Sequence, residues 1–139
     1  MSDAPRLVAI VLCERILQDV LRRDAVSCVN IYNGITAQSF PAVVPLLYSF
    51  AQIQAPSVGF EYQFRIVDSQ GSLIAMSPPV RVEPLANEYI THKVISAFSG
   101  LTFQKEGVYE VFLDVDGKPL GSMPLQVLQL VAAGQETHT

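Results

Sequence analysis

Charge is what this sequence has least of. Only 16% of its 139 residues are Asp, Glu, Lys or Arg, against about a quarter in an average globular chain. With 50% apolar residues, the composition excludes disorder, which needs low hydrophobicity and high net charge. A chain of this size is one domain, able to bury a core without disulfides or metal. Its Lys and Arg form no cluster beyond Arg22-Arg23, and the net charge is −4. Nucleic acid, which is bound through its phosphates, is therefore not expected as a partner. Neither is a polybasic membrane anchor.

The scarcity is absolute between Ala25 and Phe60, where no charged residue occurs. This is not a membrane helix, which needs about 20 predominantly apolar residues; Pro41, Pro45, Pro56, Asn30, Asn33, Gln38, Gln52 and Gln54 interrupt it. Two readings remain. The stretch forms central strands buried on both faces, or an uncharged surface that another subunit covers. A secretory leader is also lacking: Met1 to Pro5 carry no basic segment, and the apolar run Leu7 to Leu12 stops at Cys13-Glu14-Arg15. A cytoplasmic location is expected, and two cysteines fit one, since cytosolic thiols stay reduced.

What is present is alternation. In FEYQFRIV, Phe60, Tyr62, Phe64 and Ile66 share one face and Glu61, Gln63 and Arg65 the other, a period of two. Asp68-Ser69-Gln70-Gly71 then makes a turn, SLIAM returns, and Pro78-Pro79 demotes VRVEP to an edge strand or sends it to a second sheet. Tyr109, Val111, Leu113 and Val115 alternate likewise up to Asp116-Gly117, a favoured two-residue hairpin turn. That closure sets Leu113 opposite Leu120, with a bulge at Met123-Pro124-Leu125. Residues 92–103, 45–54, 27–38 and the opening segment supply further strands. The segment RLVAIVLCERILQDVLRRD also fits a helix, because Val8, Leu12, Ile16 and Val20 recur every four residues. Its Val and Ile favour a strand continuing to about Gln18.

The expected architecture is all-β: a two-sheet, immunoglobulin-like sandwich of seven to nine strands, with one short helical turn at ANEYIT as an option. Residues 6–131 form the domain, between a flexible start (1–5) and a flexible tail (132–139).

Catalytic chemistry is hard to assemble. A nucleophilic cysteine needs a base, and the chain's histidines are His138, in the tail, and His92, before an apolar strand. Cys13 and its neighbour Glu14 point to opposite faces of a strand, so Cys13 reads as a small buried hydrophobe. A Cys13–Cys28 disulfide is not expected either. A hairpin closed near residues 20–25 sets Cys28 opposite Leu17 to Asp19, several steps of about 3.3 Å beyond Cys13, while a bridge tolerates about 6 Å between Cα atoms. DVDGK (114–118) lacks the remaining ligands of a calcium loop. No catalytic, cofactor or metal residue is assigned. Asn33-Gly34 reads as a bulge inside a strand, since Val29, Ile31 and Ile35 alternate through it.

Taken together, VLCERILQD (11–19), SCVNIYNGITAQSFP (27–41) and GVYEVFLDVDGKPL (107–120) resemble a family of small bacterial proteins known only as a domain of unknown function. The matching positions are Leu12, Cys13, Glu14, Asp19, Asn33-Gly34, Phe40-Pro41, Gly107 and Tyr109. The resemblance implies a compact, β-rich, bacterial protein that is cytoplasmic; it implies no activity.

The expected function is non-enzymatic, through contacts with a protein partner or with a second copy as a homodimer. Val44, Leu46, Leu47, Tyr48 and Phe50 are the candidate interface, since isologous pairing needs one self-complementary apolar patch. An alternative is an apolar small ligand held between the sheets near Tyr62, Phe64 and Tyr109. A third is an enzyme using Cys13 with Glu14 or His92.

Overall fold

The computed structural model describes residues 5–22, 25–54, 59–83 and 91–130. They contain no helix. Ten strands follow in order: β1 (Arg6–Gln18), β2 (Val26–Tyr32), β3 (Gly34–Ala37), β4 (Ala42–Gln54), β5 (Phe60–Val67), β6 (Leu73–Met76), β7 (Val80–Val82), β8 (Thr91–Phe103), β9 (Gly107–Val115) and β10 (Lys118–Gln129). They form a four-stranded sheet, β2-β1-β4-β8, and a six-stranded one, β3-β10-β9-β5-β6 with β7 also on β5. The two face each other as a sandwich. The flexible start, apart from Pro5, the tail and most of ANEYIT lie outside the described residues; Thr91 opens β8.

The count exceeds the expected seven to nine for one reason. Segment 27–38 divides at Asn33: β2 pairs β1 in one sheet, while β3 runs parallel to β10 in the other. Asn33-Gly34 is thus a crossover between sheets, not a bulge. Gly34 passes close to β10, where an added Cβ would meet the Gln126 carbonyl oxygen at 3.2 Å. SLIAM and VRV make separate short strands, one after the other along the open side of β5. Both are edge strands, where the missing N–H of Pro78 and Pro79 costs no ladder bond.

The opening segment is a strand to Gln18, because β1 has partners on both sides: β4 from Arg6 to Cys13 and β2 from Leu12 onward. Leu7, Ile10 and Leu12 face the core. From the opposite sheet come Phe60, Tyr62, Phe64 and Ile66 of β5 and Tyr109, Val111, Leu113 and Val115 of β9, the two alternating sets read in the sequence. At the Asp116-Gly117 turn both residues have positive φ, 51° and 79°. The bulge, however, falls between Pro119 and Gly121, so Leu113 pairs with Gly121 rather than Leu120. The extra residue there brings Leu125 and Val127 into the core without a further slip. It also sets Gly121 against the Leu7 side chain, where a Cβ has no room.

Two hydroxyls fasten the sandwich. Tyr109 donates to the Lys105 carbonyl at 2.6 Å, across the turn into β9. Tyr62 donates to the Ile95 carbonyl at 2.7 Å and accepts from the Ile95 N–H at 3.2 Å, tying β5 to the other sheet's edge strand.

Candidate functional site

The four-stranded sheet comes apart at one end. The β1–β4 ladder stops at Cys13–Tyr48. Beyond it β4 carries Pro45, which has no N–H to offer β1. On the other side of β4, Pro45 lies across from Gly100 (φ 63°), between the pairs Val44–Leu101 and Leu46–Ser99. The buried phase of both strands changes at this point: Leu47 and Phe98 are buried on one side of it, Ala42, Leu101 and Phe103 on the other. From Arg15 to Gln18, β1 is paired only with β2, as a two-stranded ribbon.

The ribbon ends in an ordered turn. The Asp19 carboxylate accepts the N–H groups of Leu21 (2.8 Å) and Arg22 (3.0 Å). Those bonds hold its pKa below the usual carboxylate value. The arrangement leaves Val20 and Leu21 pointing into solvent, 87% and 92% exposed. Leu17 on the ribbon, Ile31 on β2 opposite Cys13, and Val43 and Leu46 on the part of β4 paired only with β8 are also exposed. The pairing directions place all six at the same end of the sheet. Glu14, Arg15 and Arg22 are exposed charges on the same strand and turn, Arg15 lying between the Cys13–Ile31 and Leu17–Ser27 pairs.

The structure divides the expected interface. Leu46 is exposed, Val44 and Tyr48 are half-buried, while Leu47 (0%) and Phe50 (9%) are closed off within the chain. The charge-free stretch is accordingly part core and part surface. Its exposed share is smaller than expected, and Leu17, Val20 and Leu21, which lie outside that stretch, add to it. Their helical spacing pointed elsewhere.

Tyr62, Phe64 and Tyr109 are buried. Open volume lies instead between the free edges of β6 and β8, a cleft of about 530 Å³ lined by Ile74, Met76, Pro78, Phe98 and Leu101 among others.

The residues of the cysteine-enzyme alternative are not brought together. The Glu14 carboxylate accepts from the Asn30 amide at 2.6 Å. His92 packs edge-on against Phe60, 5.1 Å between ring centres, and burial pulls its pKa down. Cys13 is fully buried, and that burial, reinforced by the Cys28 thiol, pushes its pKa up to about 11. His138 lies outside the described residues.

The carboxylates of DVDGK hold protein groups: Asp114 pairs with Arg65 at 2.6 Å, and Asp116 accepts the Glu61 N–H at 2.9 Å. Among the described residues no three His, Cys, Asp or Glu side chains converge as metal ligands.

The positions that carried the family resemblance mostly have structural work. Leu12 is core, Gly34 makes the sheet crossover, Phe40 packs on the core beside a cis bond to Pro41, and Tyr109 closes its turn. The model of a family described as "Family of unknown function (DUF6941)" matches residues 8–128. No curated protein matches the chain. No helix among the described residues is long and apolar enough to cross a membrane.

Proposed function

We propose, for a chain that belongs to the DUF6941 family of unknown function, a non-enzymatic role as an interaction module. The module binds a protein partner, a second copy of the chain included, through the splayed end of its four-stranded sheet. The observation that carries this reading is the group of six exposed apolar side chains there, Leu17, Val20, Leu21, Ile31, Val43 and Leu46, with the exposed charges of Glu14, Arg15 and Arg22 among them. Contiguous apolar surface with a polar surround is what association sites present, and the Asp19 turn holds the most exposed pair in place before any partner arrives.

The reading includes an immunoglobulin-like scaffold in a bacterial, cytoplasmic protein. Support for the scaffold comes from the order β10-β9-β5 facing β4-β8, from β3 running parallel to β10, and from the Tyr109 hydroxyl bond at the start of β9, a feature of such domains. The insertion of β1 between β2 and β4 is a departure from that plan.

Native mass spectrometry of protein purified gently from its own host tests the interaction. The wild type is expected to carry a second copy or a second polypeptide, and Leu21→Glu combined with Leu46→Glu to lose it while keeping its circular dichroism. A bare wild-type monomer overturns the reading. Leu47→Glu is no test, since it would damage the core. One observation favours a second reading: the cleft between β6 and β8 is large enough for a small apolar ligand, which the same spectrum would show as added mass on a monomer.

A further inference from the structure

We infer that the cleft between β6 and β8 is a binding site for an extended, uncharged polypeptide segment, which pairs with the β8 edge as an added strand. The cleft is bounded by two strand edges, and the backbone directions can be worked out on both. Ile95 turns its N–H and carbonyl away from β4, since both are bonded to the Tyr62 hydroxyl. Backbone direction alternates along a strand, and β8 keeps one register against β4 from Thr91 to Ser99. Ala97 and Ser99 therefore turn their N–H and carbonyl groups the same way as Ile95. On the facing edge, Ser77 gives its N–H to the Phe64 carbonyl of β5, so Met76, one residue back, turns its own groups outward. Among the described residues none of these three has a ladder partner on that side.

Two features select a polypeptide over a ligand without a backbone. The first is the kind of polar group on offer. Tyr62 satisfies Ile95 with a single hydroxyl, while Ala97 and Ser99 present N–H and carbonyl groups that recur every second residue, the spacing another strand matches. Between these edges the lining is apolar: Phe98 and Leu101 belong to the core, and Ile74 packs on it. Alternate side chains of an added strand would rest there. The open edge runs from Ser96 to Ser99. It is bounded by the Tyr62 hydroxyl on one side and on the other by Gly100, whose φ of 63° breaks the strand and whose carbonyl takes the Thr102 hydroxyl.

The second feature is charge. From Val94 to Phe103, β8 has no charged residue and no proline, two of the devices by which edge strands ordinarily discourage pairing. The β6 side of the cleft adds no charge. A charged side chain carried into the cleft would lose water and find no partner, so the segment that fits is uncharged where it crosses. This gives the cleft a different occupant from a small apolar ligand, and it holds whether or not the splayed end binds a partner.

The test selects short random peptides, displayed on phage, against the immobilised full chain and synthesises those that enrich. They are expected to be uncharged over their central residues. At about ten times Kd they should slow hydrogen exchange at the Ala97 and Ser99 amides about tenfold. N-methylation of alternate peptide nitrogens, which removes the pairing N–H groups, should weaken binding about tenfold or more. Ser99→Pro deletes one outward N–H at an edge position that tolerates proline, and should abolish binding; exchange in the wild type decides the matter even if that variant folds poorly. Leu21→Glu should bind the peptides as the wild type does, which separates this site from the splayed end. Peptides that protect other amides, bind equally well when N-methylated, or fail to enrich overturn the inference. So does a small molecule retained from the host that the peptides cannot displace.

Discussion

The β5–β9 pair and the β1–β2 ribbon are built from similar residues and end in opposite states. In β5 and β9 every second side chain is apolar and buried. In the ribbon Leu17 is exposed, and so is Val20 in the turn that closes it. The difference is the number of neighbours. β9 has β5 and β10 beside it and the other sheet above it, so its apolar face has somewhere to go. The ribbon has lost β4 where the ladder stops at Tyr48. Apolar composition alone does not make core; a second layer does.

The sharpest way to break this comparison is to truncate one residue from each region. Phe64 is fully buried in β5, and Phe64→Ala should cost about 3–5 kcal/mol, because burial is lost and a cavity remains. Leu21→Ala should move the stability of the dissociated monomer by less than about 0.5 kcal/mol, as surface changes do. Urea denaturation at low protein concentration reads both. Equal losses would mean that the ribbon packs in solution against something this fold does not show.

How far the sequence revealed this follows the same division. Where a strand has one wet face and one dry face, alternation can be read directly, and β5, β9 and their inward residues were legible. So were the Asp116-Gly117 turn and the edge position of VRV. What failed were features set by contacts distant in sequence. Asn33-Gly34 looked like a bulge, because nothing local says that β3 joins β10. The bulge was placed at residues 123–125, whereas the register shifts between Pro119 and Gly121. The buried half of the candidate interface, Leu47 and Phe50, could not be told from its exposed half, Leu46, by composition.

A smaller effect sharpens the contrast at the join between sheets. The Tyr62 hydroxyl serves both the N–H and the carbonyl of Ile95 on β8, an edge strand with no ladder partner on that side. Tyr62→Phe keeps the ring and removes that partner. It should cost about 1–3 kcal/mol, the range for leaving buried polar groups unsatisfied. Hydrogen exchange should rise at Ile95 more than at Val111. A change confined to the ribbon amides would show that the hydroxyl is not what secures this edge.

The smallest effect concerns pH. His92 sits inside the end of the sandwich against Phe60, with Nε2 lacking a hydrogen-bond partner among the described residues. Burial lowers its pKa from the ordinary 6.5. Above about pH 6.5 the imidazole is neutral both folded and unfolded, so it contributes no slope. As pH falls below that value the unfolded chain takes up a proton that the folded chain resists, and stability declines. Asp19, whose pKa is held below 3.8, titrates in stronger acid than a comparison of about pH 7 with about pH 5 samples. Urea midpoints at about pH 7 and about pH 5 should therefore differ in the wild type, and His92→Phe should narrow the gap. An unchanged gap would place the acid sensitivity elsewhere, and would mean that the dry end of the sandwich admits the proton as readily as the unfolded chain does.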